Sequence, residues 1–440
     1  MKRNLLLALS LIPLFGLSQD LIQSGPMKGY TEMRESLIWV QMTEPSLVEL
    51  VYWPDTMPEN EMRSSPVAAE KSKGYTVHLI ADEVEPGTNY GYDIYANGVN
   101  QTEDRDLSFS TQALWQYRTD PPNFSIAIGS CAYVNEAAYD RPGKAYGRSY
   151  KIFETIEEQN PEMMLWLGDN IYLREADWFT QTGINKRYTH SRSIPELQNL
   201  LATANHYAIW DDHDYGPNDA TRVFPKRDLT LEAFKNFWGN NGYGVNGLGG
   251  ITSAFEFGDA HFFLLDNRWN RTDKNMATAN EQMLGKDQID WLIELLKYSK
   301  APFKFVAVGS QILNTAKVYE NYANYEEERA ELLNRISAEK IEGVIFLTGD
   351  RHHSEMSEVE INGIKMYDLT ISPLTSGTHN PGDEPNKNRI DGSLFFENNF
   401  GILELSGAFR DRTLLIKMID DSGKEVWNYS IHQSDFRTAP

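Results

Sequence analysis

Asp211, Asp212, His213, Asp214 and Asp219 fall within the dozen residues IWDDHDYGPNDA, 209–220. Carboxylates this crowded repel one another unless a cation shares them, and dications turn the repulsion into coordination. Four other short stretches carry related groups: GSC ending in Cys131, GDNIY with Asp169, Asn170 and Tyr172, LDNR with Asp266, Asn267 and Arg268, and GDRHH with Asp350, Arg351, His352 and His353. Thiolate, phenolate and imidazole favour an iron- or zinc-like ion. Clustered carboxylate and amide oxygens favour a harder ion such as calcium, magnesium or manganese. Two cations about 4 Å apart can clamp a phosphoryl group and activate water for in-line attack. They would also give an acidic protein the positive charge needed to hold an anionic substrate.

All five stretches follow short apolar runs: FSIAIG, MMLWL, YAIW, HFFLL and GVIFLT. Read as strands, these runs alternate with helical patterns, and the segment DQIDWLIELLKY puts Ile289, Leu292, Ile293 and Leu296 on one face. That alternation predicts an α/β arrangement from residue 124 onward, with ligands bound outside the carboxyl ends of the strands. Five strand ends carrying metal-ligand residue types are far stronger evidence than any one alone. Before residue 118 the rhythm is different: ESLIWVQMT, SLVELVYWPD, YTVHLIADE and NYGYDIYANG read as short strands, and LIADEVEPGTNYGYDIY has the turn and tyrosine strand of fibronectin- or Ig-like β-sandwiches. The expected organisation is a segment 1–18, a β-sandwich over 19–118, and a catalytic region over 124–440 that closes with FGILELS and a hairpin turning at DDSGK.

The first 18 residues, MKRNLLLALSLIPLFGLS, combine Lys2 and Arg3 with an apolar run and small residues near Ser18. This reads as a secretory signal cleaved near Ser18, which places the protein in the periplasm or outside the cell, with no transmembrane segment left in the mature chain. A membrane anchor is the competing reading. The net charge of −22, from 41 basic and 63 acidic residues, argues against a nucleic-acid-binding surface. Cys131 is the one cysteine, so it is either a small buried hydrophobe or a functional thiol.

GSC, GDNIY, WDDHD and LTGDRHH, in this order and spacing, resemble the PhoD-type alkaline phosphatases of the metallophosphoesterase superfamily, over about residues 124–400. GDNIY is also similar to the GDxxY segment of purple acid phosphatases, where the tyrosine binds ferric iron. The resemblance implies two mixed sheets flanked by helices and an accessory β domain in front of them. It implies that Cys131, Tyr172 and His352 bind an Fe3+-type ion, that Asp169 bridges, and that Asp212 and Asp350 bind a harder ion, Ca2+ foremost, with Zn2+, Mn2+ or Mg2+ as alternatives. His213 takes the place of the histidine that protonates the leaving group or steadies the transition state, and a metal-bound hydroxide would attack a small phosphate monoester. Cys131 and Asp350 depart from the Asp-x-His and His of most metallophosphoesterases, and AVGSQIL lacks a histidine that many relatives carry. These departures are shared by the PhoD type. They leave the second ion's ligands open, with Asn218 and Gln311 as further candidates.

Around that set the residues carry bland readings as well as sharp ones. Asp211 either ligates or caps the turn. Asp214 would orient His213. His353 either supports a ligand or meets substrate. Asn170 is a phosphate-contact candidate. Arg268 and Arg351 could grip phosphate with a bidentate fork, or pair with one of the many carboxylates. His78, His190, His206, His261 and His432 lie away from the strand ends and read as structural. GYGVNG fits a Gly-rich phosphate motif but follows a helical pattern, so it reads as a loop near the site. Two rival functions stand beside the monoesterase: a phosphodiesterase acting on nucleotide, teichoic-type or phospholipid head-group diesters, and a non-catalytic binding protein. Oligomeric state is not written in the sequence.

Overall fold

The computed structural model describes residues 20–276 and 281–436; the expected signal segment lies outside them. Two sheets carry the strands anticipated from residue 124 onward. In the first, Phe124–Gly129, Met163–Leu167 and Asn205–Ile209 run parallel, and Phe124–Gly129 continues antiparallel into the C-terminal strands Asn399–Ala408, Asp411–Asp420 and Glu425–His432. In the second, Ala260–Leu264, Lys304–Val308, Val344–Thr348 and Ile364–Thr370 run parallel, with Ser253–Phe257 and Glu355–Ile361 as antiparallel edges. The Glu355–Ile361 hairpin turns at Asn362-Gly363, both at positive φ (50° and 79°), as a tight two-residue turn requires.

The parallel strands are continuously apolar because both of their faces are covered. Phe262, Leu264, Phe305, Ala307, Ile345 and Leu347 join Ile126, Ile128, Leu165, Leu167, Tyr207 and Ile209 in one core. The alternate residues Phe263, Val306, Val308 and Phe346 instead pack with Ile289, Leu292, Ile293 and Leu296 of helix Lys286–Tyr298 and Leu332, Leu333 and Ile336 of Glu326–Ala338. Helices Ile152–Glu157, Pro195–Thr203 and Arg227–Phe237 contribute to the core of the first sheet. The result is two mixed sheets between helical layers.

The N-terminal strands do not stand apart from this body. Ile22–Thr31 pairs with Asn205–Ile209, and Ser36–Met42 and Thr76–Ala81 extend the same sheet to nine strands. Period-two alternation in SLIWVQM explains the join: Leu37 and Trp39 enter the large core, while Ile38, Val40 and Met42 face a separate cluster with Leu50, Tyr52, Tyr92, Ile94 and Phe109. That second cluster is closed by a smaller sheet built on Leu47–Pro54 and Asn89–Ala96.

Candidate metal centre

The carboxyl ends of both parallel sets converge at one edge of the two sheets. Small residues allow it. A Cβ on Gly349 would lie 2.7 Å from Leu167 O and Ser130 Oγ, and one on Gly309 would lie 2.4 Å from Asp211 Oδ2. The Cys131 amide donates to Gly168 O (3.2 Å), the Ala132 amide to Asp169 O (2.8 Å) and the Gly349 amide to Gly309 O (3.0 Å), so neighbouring strand ends are tied by backbone. Cys131, Asp169, Asp350 and His352 all have left-handed φ, between 53° and 67°. Four non-glycine residues in that sparsely populated region at one locus are held there by their surroundings, a pattern that concentrates at functional sites.

Three groups of donor atoms result, each with its atoms within 4.8 Å of one another: Cys131, Asp169 and His352; Asp169, Asp212 and His213; and Asp211, Asp212, Glu320 and Asp350. Asp169 belongs to the first two and Asp212 to the last two. The Tyr172 hydroxyl lies 3.4 Å from His352 Nε2, and its ring packs 4.2 Å from that of His213. His352 Nδ1 faces the Gly377 carbonyl, which leaves Nε2 directed toward the group. A cavity of about 410 Å³ opens on these residues, lined by Asp169, Asp212, His213, Asp350 and His352 among others.

The donor set fits cations. Asp211 Oδ2 and Asp212 Oδ1 are buried without a hydrogen-bond partner among the described residues, which is costly for carboxylate oxygens. Burial, and then Asp212 and Cys131, push the Asp169 carboxyl well above its ordinary range; burial, Asp211 and Glu320 do the same to Asp350. Burial pushes the Cys131 thiol up to about 12 and, with Asp169, raises the Tyr172 phenol as well. Burial opposes the charge on Asp212, but His213 and Arg268 hold its carboxyl below the usual range. Shared cations would remove these conflicts together.

Several expected roles need correction. Arg268 does not line the cavity: it is fully buried, with Nε donating to Asp211 Oδ1 and both terminal nitrogens on Glu320, so its fork is already filled by carboxylates. Arg351 does line the cavity, but its terminal nitrogens are committed to Glu384 (2.7 Å), Gln311 (2.7 Å) and Asn321 (2.8 Å). Gln311 hydrogen-bonds Arg351, Glu355 and Thr370 and does not line the cavity. Asn170 turns away from the cavity and donates to Ile209 O (2.8 Å), so it makes no phosphate contact from this position. Asp214 does not orient His213. It accepts from the amides of Asn170 (3.1 Å) and Asp211 (3.0 Å) and locks the GDN loop to the WDD loop; burial lifts its carboxyl to about 8. His353 is buried beside Glu355, with Nδ1 on the Arg351 carbonyl, outside the cavity lining.

Asp211 shares a capping box with Asp214 and also lies in one of the donor groups. Asn218 and Asp219 line the cavity, and the Asp219 amide donates to Asp212 Oδ2 (2.7 Å). The fourth strand end is scaffold, because Asp266 accepts from the amides of Ile251, Arg268 and Trp269. The five histidines set aside are bonded elsewhere, His206 for instance between Trp166 and the Leu200 carbonyl. Glu320, Tyr319, Tyr146 and His379 were not anticipated. None follows a strand. Glu320 sits in a loop between Lys304–Val308 and Glu326–Ala338, and only the fold brings it to Asp350.

Residues 126–404 match the PhoD-like phosphatase family. The chain belongs to that family. Alkaline phosphatase D of Bacillus subtilis (strain 168) is 23% identical over 352 residues, covering 68% of this chain and 57% of that protein, so the match spans less than two thirds of the relative's length. A solved structure described as PhoD aligns with a TM-score of 0.75 at 17% identity, over 94% of this chain and 93% of that one. A purple acid phosphatase from yellow lupin (Lupinus luteus) seeds aligns at 0.68 and 12% identity, over 93% and 74%. The PhoD-like chain thus shares the metallophosphoesterase-like arrangement of two mixed sheets with helices.

Proposed function

We propose that this chain is an exported, cation-dependent phosphoesterase that hydrolyses phosphate monoesters. The observation that carries the reading is Asp169, which lines the cavity and whose carboxylate is common to two groups of donor atoms. Cys131, Tyr172 and His352 would hold the softer ion, for which Fe3+ is the choice that suits thiolate and phenolate. Asp212 and Asp350, with Asp211 and Glu320 near them, would hold a hard ion such as Ca2+. Bound cations would supply Lewis acidity to phosphoryl oxygens and activate water.

The chain's own residues do the rest. Asp169 fixes the spacing of the two positions. His213, on the cavity wall, is the proton donor to the leaving oxygen, its ring kept in place against Tyr172. The cavity walls would hold the ester beside these carboxylates, whose repulsion of it bound cations would offset. Family membership and similarity to an alkaline phosphatase support the reaction class.

Visible absorption with elemental analysis is the test. A tyrosinate–ferric band lost in Tyr172→Phe, together with hydrolysis of p-nitrophenyl phosphate faster than of its bis ester, is the expected result. A colourless, iron-free protein with full activity would contradict the iron assignment, and faster turnover of the bis ester would make the enzyme a diesterase.

A further inference from the structure

We propose that Tyr319, braced by His379, is a specificity platform that selects phosphate esters whose leaving group is a flat aromatic ring without negative charge. The proposal rests on the phosphoesterase reading and adds its substrate class.

Four observations carry it. First, Tyr319 and Tyr146 line the same cavity as Asp169, Asp212 and Asp350, and stay 58% and 44% exposed. Single exposed aromatics are ordinary, but two on the lining of one cavity are an apolar surface kept for a ligand. Second, Tyr319 is held rather than loose. Its φ is 46°, an uncommon value for an aromatic residue, and Asn324 Nδ2 (3.0 Å) and Lys274 Nζ donate to its carbonyl. Third, the ring is braced where it is not exposed: the Arg351 guanidinium lies 5.0 Å from its centroid and the His379 ring stands edge-on at 5.5 Å. A cation near a π face and an edge-on neighbour leave a preorganised ring surface for a second aromatic. Fourth, the lining discriminates by charge. Asp169, Asp212, Asp219, Glu320 and Asp350 are acidic, and Arg351, the one Lys or Arg there among the described residues, is bound to Glu384. Among the described residues no guanidinium or ammonium on the lining remains for an anionic leaving group, so the part of the ester beyond the phosphate carries no negative charge.

The test compares phenyl phosphate with glycerol 1-phosphate on the metal-loaded enzyme. Stacking of the kind seen between aromatic pairs predicts that Tyr319→Leu lowers the phenyl-to-glyceryl ratio of kcat/KM about five-fold, mainly through KM, while Tyr319→Phe keeps the ratio. Equal losses on both esters, or an unchanged ratio, would overturn the platform and leave the phosphoesterase reading intact. A wild type that turns over neither ester would instead overturn the phosphoesterase reading. Calorimetric binding of phenylphosphonate against methylphosphonate then decides the platform: tighter phenyl binding, lost in Tyr319→Leu, supports it, and equal binding overturns it.

Discussion

At the scale of single residues, the centre divides its acids by what each can still bind. Asp169 and Asp212 each serve two donor groups, whereas Asp214 and Asp266 are used up on backbone amides. His213 is predicted to work on the leaving group: His213→Ala should keep the metal content and slow turnover by about 10²–10⁴. Loss of metal in that variant would make His213 a ligand instead, as its place beside Asp169 and Asp212 permits. Much of this was legible from residue types. Cys131, Asp169, Asp212, Asp350 and His352 stood out as strand-end ligands, and the structure brings their donor atoms together. What the sequence could not show was direction. Asn170 adjoins Asp169, yet a side chain on the next residue points elsewhere, and its amide serves a strand carbonyl. Arg268 carries the right fork for phosphate, but only the fold reveals that Asp211 and Glu320 already fill it.

At the scale of elements, the centre depends on strand ends approaching more closely than side chains would allow. A Cβ at Gly309 would meet Asp211 Oδ2 and Cγ at 2.4 and 2.5 Å, whereas one at Gly242 would find its nearest neighbour at 4.0 Å. Gly309→Ala is therefore predicted to cost about 1–3 kcal/mol in denaturant unfolding and to weaken cation binding, with Gly242→Ala near neutral on both. Asp214 links two loops by accepting their amides. Asp214→Leu should destabilise by about 1–3 kcal/mol through unsatisfied buried N–H groups, as read by thermal melts. Element types were legible because each period is plain: continuous apolar runs for covered strands and a one-sided face for Lys286–Tyr298. In the sequence the Glu355–Ile361 hairpin is marked only by the Asn362-Gly363 turn. Glu355–Ile361 mixes buried, half-buried and exposed positions, and Ile364–Thr370 buries polar Asp368 and Thr370 among its apolar residues, so neither reads as a clean strand pattern.

At the scale of the whole molecule, the surface is acidic and the body is one continuous fold. The N-terminal strands share a sheet with the family region, joined through the parallel pairing of Ile22–Thr31 with Asn205–Ile209 and backed by the two-faced strand Ser36–Met42. Sequence alone suggested an accessory β-sandwich over 19–118, and the shared sheet was not legible because strand pairing between distant segments leaves no local mark. Buried lysines give the fold a pH signature. Burial lowers Lys304 from 10.5 to about 8, with Nζ on the Ala301 and Glu342 carbonyls. Between those values the unfolded chain binds the extra proton, so stability should rise with pH above 8, by at most about 3 kcal/mol, and rise less steeply in Lys304→Met. Guanidinium melts at pH 7.5 and 9.5 would show it. The most direct check of the shared centre is elemental analysis of the wild type and Asp169→Ala, each purified in parallel and assayed before and after chelation. A carboxylate shared by two cation positions predicts at least two metal ions per wild-type chain, activity lost on chelation, and both ions depleted together in the variant. A wild type that is metal-free and fully active, or an Asp169→Ala protein that keeps its full complement, would contradict it.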